Sequence, residues 1–297
     1  MFDLSKKRWQ WLSILFLALV WGSSFILMKK GLLAFSFVQV AAIRILVGFI
    51  VLIPLMLKHY KIVTRKNIWS IVLVGYAGIF FPAFLFTLAQ TNISSSLAGM
   101  LNSASPLFAL LVGIFFYNSK PLKAQTAGII IGFIGALTLI LNGNFSSIGS
   151  INVYALFIVL ATFGYGINAN EVKFKLTGIS GIKITVLSFL FVGPVAGIVL
   201  TFTNLNTAYQ SEHFYHSLLA VVTLSVFGSV ISLFVYNSLI QHTSALFATS
   251  VTYVIPIFAI LWGLFDGETV SLIQFAGMAI VLLGVYMVNV SRNKQII

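Results

Sequence analysis

Ile129–Leu141 reads IIIGFIGALTLIL, an unbroken apolar run without a charge. A strand of a membrane barrel would alternate apolar and polar positions over a segment of about ten residues, and this run does not alternate. It reads as part of a helix. About 20 mostly apolar residues carry a helix across roughly 30 Å of hydrocarbon. Working outward, comparable runs at 11–30, 36–57, 68–88, 95–117, 123–141, 151–169, 181–202, 216–239, 244–264 and 270–290 predict an all-α integral membrane protein of ten transmembrane helices. No stretch is left over for a soluble domain.

Composition agrees. Of 297 residues, 60% are hydrophobic and 7% charged, with a mean hydropathy of +1.07, against about 25% charged in an average soluble protein. The net charge of +12 would suit a nucleic-acid binder if the basic residues were clustered without regard to the spans. They are not. With the N-terminus inside, Lys6, Lys7, Arg8, Lys58, Lys61, Arg65, Lys66, Lys120, Lys123, Lys173, Lys175, Lys183, Arg292 and Lys294 all fall on the inner side, 14 of the 17. The positive-inside rule then predicts N-in, C-in and an even number of spans, in a bacterial inner (plasma) membrane, with no nucleic-acid partner. The opening Lys6–Arg8 followed by an apolar run resembles a secretory signal, but no A-x-A-type cleavage pattern follows, so it is read as a retained first helix. Cys is absent, which excludes disulfides and thiolate chemistry.

The chain also repeats itself. A shift of 150 residues aligns Gly78 with Gly228, Phe84 with Phe234, Ser94 with Ser244, Ala98 with Ala248, Pro106 with Pro256, Phe108 with Phe258 and Gly113 with Gly263. A shift of 149 pairs Gln125 with Gln274, Gly128 with Gly277 and Gly135 with Gly284; one of 144 sets Trp21, Gly22 and Lys29 opposite Tyr165, Gly166 and Lys173. Two five-helix units, 1–143 and 144–297, are therefore expected. An odd number of spans per unit makes the second copy enter from the opposite side, so the repeats are inverted. Two such halves can exchange conformations around a site between them, which is the mechanical requirement of a secondary transporter.

The WGSSF run Trp21–Phe25, Arg44 in the second span, and Pro106 and Pro256 in the fourth and ninth resemble the EamA family of the drug/metabolite transporter superfamily, across nearly the whole chain. That resemblance implies transport of small organic solutes, such as amino acids and related metabolites, through a central cavity formed mainly by helices 1, 3, 4, 6, 8 and 9. It does not name the solute.

Polar groups within spans are the first candidates for such a cavity, because hydrocarbon penalises them unless they are partnered or face water. Ser24, Asn102, Ser103 and Thr252 are so placed, with Ser105 beside Pro106. The two prolines are expected to kink their helices and free a carbonyl. Trp21, Tyr76, Tyr165, Tyr236 and Tyr253 lie within spans rather than at their ends; they suit an aromatic cavity, or equally plain interhelix packing. Arg44 sits about 13 Å into the second span at 1.5 Å per residue and needs a partner, either a substrate carboxylate or a structural acceptor. Lys29 is expected to snorkel to the interface. Asp266 and Glu268 read as loop acids and Glu171, with Lys173 and Lys175, as a solvated or gating ion-pair group at a membrane edge, leaving no carboxylate buried mid-span and weak grounds for built-in proton antiport, with a route through Glu171 as the alternative. Gly128–Gly132 and Gly193–Gly197 form GxxxG pairs, serving internal packing or a homodimer.

An embedded enzyme is disfavoured: His59, His213, His216 and His242 lie near span ends, and the Glu212–His216 group lacks zinc-site spacing. No cofactor or metal is expected. The partners are a small-molecule solute and membrane lipid, and a flippase for a lipid-linked or amphipathic intermediate is the alternative function.

Overall fold

The computed structural model describes residues 4–141, 152–243, 247–248 and 251–293. Ser244, Lys294 and the expected boundary at 143/144 lie outside the described residues. The described chain is helical and without strands, and its principal helices are α1 Lys7–Gly31, α2 Phe37–His59, α3 Ile68–Ala89, α4 Ser95–Tyr117, α5 Lys123–Leu141, α6 Val153–Phe174, α7 Gly181–Thr201, α8 Phe214–Leu239, α9 Val251–Phe265 and α10 Leu272–Asn293. Among the described residues eight helices, α1 to α8, are long and apolar enough to cross a membrane, while α9 and the apolar part of α10, Leu272–Val288, are shorter. Large apolar side chains such as Leu57, Trp69, Phe115, Phe116, Phe202 and Phe265 face outward on the bundle. Water would penalise that surface; lipid does not.

Local sequence explains where the helices start. Ser36 accepts the Gln39 N–H and Gln39 accepts the Ser36 N–H, a reciprocal cap that begins α2. Ser94 caps α4 and Asn152 caps α6 through their side-chain oxygens.

Small residues set how closely the helices approach. A methyl on Gly128 would lie 2.7 Å from the Gly284 carbonyl, and one on Gly135 would lie 2.8 Å from the Gly277 carbonyl, so α5 and α10 meet backbone to backbone. A methyl on Gly22 would lie 2.5 Å from Phe258 Cβ and 3.3 Å from the Ala259 N; on Gly166 it would lie 2.8 Å from the Phe108 carbonyl and 3.0 Å from the Ala109 N. The first GxxxG pair thus serves contact within the chain, and in the second Gly193 is closed by the Phe49 ring.

Three helices are irregular where the cavity lies. Residues Tyr76–Phe80 of α3 and Leu224–Ile231 of α8 form π-helical turns. Helix α4 breaks after Asn102 and resumes at Ser105, with Pro106 in the new first turn where its missing N–H costs nothing. Pro256 lies inside α9.

The structure bears on four expectations about charged groups and boundaries, and corrects the first two. The sixth span runs to Phe174 rather than 169 and carries Glu171 within it. Glu171 is not solvated: it is buried, and Tyr117 donates its hydroxyl to Oε1 at 2.5 Å. Lys29, at the end of α1, is paired: its Nζ lies 2.8 Å from both Asp266 and Glu268. Glu268 stays in its loop, but its carboxylate turns inward, the side chain only 6% exposed, where it accepts the Ser95 and Ser96 N–H groups and the Ser96 hydroxyl at 2.8–3.0 Å. It caps the start of α4 and neutralises Lys29 at once.

Candidate functional site: a central cavity

A cavity of about 140 Å³ lies inside the bundle, lined by α1, α2, α3, α4, α6, α8 and α9. At 10–15 Å³ per water that is room for roughly ten waters, or on the order of 300 Å³ of displaced liquid. Its polar groups come from Ser24, Arg44, Asn102, Ser105, Tyr165, Asn168, Ser229, Tyr236 and Thr252.

The lining follows the internal repeat. At a separation of 144, Trp21, Ser24 and Phe25 match Tyr165, Asn168 and Ala169; at 150, Gly78, Ile79, Ala83, Phe86, Asn102 and Ser105 match Gly228, Ser229, Leu233, Tyr236, Thr252 and Ile255. Only Met28, Arg44 and Val251 of the lining residues have no matching partner in it. Contacts pair in the same way. The Trp21 and Tyr236 rings meet edge-on at 5.1 Å, and their counterparts Tyr165 and Phe86 stack at 6.0 Å. Gly78 abuts Asn168, and Gly228 abuts Ser24.

Tryptophan 21 is held by its Nε1 donating to the Gly228 carbonyl at 3.0 Å, so α1 is tied to the π turn of α8. Asn102 ends the first segment of α4; its backbone carbonyl accepts the Ser105 hydroxyl at 2.6 Å. Among the described residues the Asn168 side chain has no hydrogen-bond partner, and it faces the cavity. Arg44 is the only charged residue among the described lining residues. Among the described residues it meets neither a carboxylate nor a carbonyl: Nε donates to Ser229 Oγ at 2.8 Å, and Nη1 lies 3.9 Å from Met28 Sδ.

Of the residues singled out from sequence, Trp21, Ser24, Arg44, Asn102, Tyr165, Tyr236 and Thr252 come together here. Tyr76 packs instead with Phe80 and Phe81. Ser103 is buried and donates to the Met100 carbonyl of its own helix. Tyr253 packs against the main core cluster, and Pro106 and Pro256 are buried beside lining positions rather than lining it. Sequence reasoning missed Gly78, Asn168, Gly228 and Ser229. The repeat held the signal for Asn168, which lies 144 residues after Ser24.

Beyond the cavity, charged groups gather at the end of α1. Lys29, Lys30, Asp266 and Glu268 form one ion-pair cluster there, and Gln90 donates to the Phe25 carbonyl below it. Burial pushes the Glu268 carboxyl up, but the bonds from Lys29 and from Ser96 and Ser95 outweigh it and hold the group below the ordinary glutamate value. Asp266 is likewise opposed by burial and held low by Lys29 and Lys30. At the opposite pole, Glu171 Oε2 is buried without a partner among the described residues. No three His, Asp or Glu among the described residues are grouped to hold a metal.

Sequence comparison places the chain in a family. The model of the EamA-like transporter family matches residues 8–141 and again 152–290. The chain belongs to the EamA-like transporter family. Among its relatives, the uncharacterized inner membrane transporter YedA of Escherichia coli strain K12 is 27% identical over 93% of this chain and 89% of its own length. The uncharacterized transporter YdfC of Bacillus subtilis is 26% identical over 93% and 89%, and an uncharacterized transporter of Archaeoglobus fulgidus 23% identical over 94% and 98%. A solved structure, titled only as a crystal structure of a protein, superposes with a TM-score of 0.62 at 15% identity, over 98% of this chain and 99% of that one; it speaks to the fold alone. This EamA member is a multi-pass inner-membrane protein of the transporter type, and its relatives' names point away from an enzyme.

Proposed function

We propose that the protein is a secondary transporter, an exporter, facilitator or exchanger, that moves small organic metabolites such as amino acids by alternating access at the central cavity. The observation that carries this is the pairing of contacts about the cavity: Gly22 with Phe258 and Gly166 with Phe108, Trp21 with Tyr236 and Tyr165 with Phe86, Gly128 with Gly284 and Gly135 with Gly277. Each contact recurs between the repeat counterparts of its two residues. A pseudo-two-fold axis through the cavity relates contacts in this way, so this supports two related halves; with five spans in each, the halves are inverted and both termini lie inside. Such halves can swap conformations without breaking their packing rules. In this reading the Lys29–Glu268 cluster is the closed outer gate.

The test is counterflow in proteoliposomes preloaded with a panel of unlabelled amino acids and related metabolites, comparing wild type with Asn102→Ala and Thr252→Ala. Selective uptake that the variants lose supports a carrier using this cavity. Absence of counterflow for every solute in the wild type would sink the proposal.

A further inference from the structure

We propose that the cavity takes an organic monoanion, its carboxylate seated on Arg44 and its body lying against the aromatic pairs Trp21–Tyr236 and Tyr165–Phe86. This deepens the carrier reading and rests on it.

The argument starts from what the repeat does not explain. Arg44 breaks the pairing of the lining: its counterpart in α7, Ser188 at a separation of 144, is fully buried and donates to the Ile184 carbonyl of its own helix. A charge held in one half alone is not needed to build the fold twice. It polarises the cavity toward α1, α2 and the π turn of α8, where Met28, Arg44 and Ser229 meet.

A guanidinium presents five N–H donors. One goes to Ser229 and one points at a thioether, a weak acceptor, so three are left without a partner among the described residues. A structural arginine within a membrane spends its donors on carbonyls or a carboxylate. The link between α2 and α8 does not rest on the guanidinium alone, because beside the Nε–Ser229 bond the Ser225 hydroxyl bonds the Arg44 backbone carbonyl, so the two Nη groups are not needed to hold the helices together. The planar fork is therefore free to grip two oxygens of a carboxylate, the geometry it matches best.

The rest of the lining sets the ligand's net charge. No Asp or Glu lines the cavity among the described residues, so an ammonium group would find only amide, hydroxyl and ring partners while facing an uncompensated like charge. One cation neutralises one anionic charge; a dianion would keep its second charge in a low-dielectric site. The aromatic walls fit a flat apolar body.

The test uses the purified full chain in lipid nanodiscs and five probes with one phenyl body: 3-phenylpropanoate, its neutral amide, phenylalanine, phenethylammonium and the dianion phenylsuccinate. Affinity is read by calorimetric titration in wild type, Arg44→Gln and Arg44→Lys. The expected order places 3-phenylpropanoate tightest. Arg44→Gln should weaken it about 30-fold while leaving the amide unchanged, and Arg44→Lys should fall between. Phenethylammonium or the amide binding the wild type as tightly as the carboxylate overturns the inference, as does undiminished carboxylate binding in folded Arg44→Gln. Failure of all five to bind also counts against it. If Arg44→Gln does not fold, the wild-type order and Arg44→Lys decide. Counterflow separates the two readings: neutral or cationic solutes exchanged equally by wild type and Arg44→Gln leave the carrier standing and remove the anion, whereas absence of counterflow for solutes of every charge removes the carrier itself.

Discussion

Glu268→Gln should open the gate at the pole where α1 ends. The carboxylate makes four contacts, with the Ser95 N–H at 2.9 Å, the Ser96 N–H at 3.0 Å, the Ser96 hydroxyl at 2.8 Å and Lys29 Nζ at 2.8 Å. Glutamine keeps one acceptor oxygen and aims an NH₂ at groups that are themselves donors. About half the contacts are lost, each to a charged group and worth roughly 1.5–3 kcal/mol. Lys29 is 35% exposed and keeps Asp266, so its share is screened and partly retained. A net loss of about 2 kcal/mol remains, which shifts the balance between closed and open gates about 30-fold. The protein has no cysteine, so a single Ser105→Cys in the cavity reports access cleanly. Labelling that thiol from outside with a membrane-impermeant maleimide should be about 30-fold faster in the Glu268→Gln background. A rate unchanged within about twofold, in a variant that elutes as folded protein, would refute the gate assignment. Because the folded carboxyl sits below its ordinary value, the contribution of this cluster is fully present above pH 4.5 and is lost only as pH falls through the lower folded value. The ratio of the Glu268→Gln labelling rate to that of the parent, in which the pH dependence of the thiolate itself cancels, should therefore stay flat from about pH 5 to 8.

Packing and polar contacts elsewhere give sharper local tests. A methyl on Gly284 would fall 2.5 Å from the Gly128 carbonyl, whereas the nearest atom to one on Gly197 is Leu46 Cδ1 at 3.4 Å; Gly284→Ala should cost about 1–3 kcal/mol and lower the melting temperature, with Gly197→Ala near wild type. Trp21→Phe removes the bond to the Gly228 carbonyl, worth about 1 kcal/mol, and should speed amide exchange around residues 224–231 about fivefold. Tyr117→Phe strips Glu171 of its hydroxyl donor and should destabilise by about 2 kcal/mol, most of it recovered by adding Glu171→Met; thermal melts of both variants decide.

Helices and their approximate ends were legible because crossing a bilayer is a local demand: enough apolar residues in a row, bounded by charge. Residues matched along the sequence, such as Gly128 and Gly277 or Pro106 and Pro256, fall on close approaches and helix irregularities, because those places demand particular letters. The gate was not. Lys29 and Glu268 are 239 positions apart, and a loop acid bends inward only because the start of α4 presents two free N–H groups to it. The cavity was half legible: polar and aromatic types pointed to Trp21, Asn102 and Tyr165, but also to Tyr76 and Ser103, which turn away. Which face of a helix meets the cavity depends on its rotation, set here by π turns at Tyr76–Phe80 and Leu224–Ile231 and by glycine contacts between distant segments. Hydropathy reports burial from water and is blind to that rotation. Sequence alone determined that this chain is a helical membrane bundle; only the tertiary structure decided that Arg44 would face the cavity with no carboxylate partner among the described residues, because pairing is a property of side chains brought together from far along the chain.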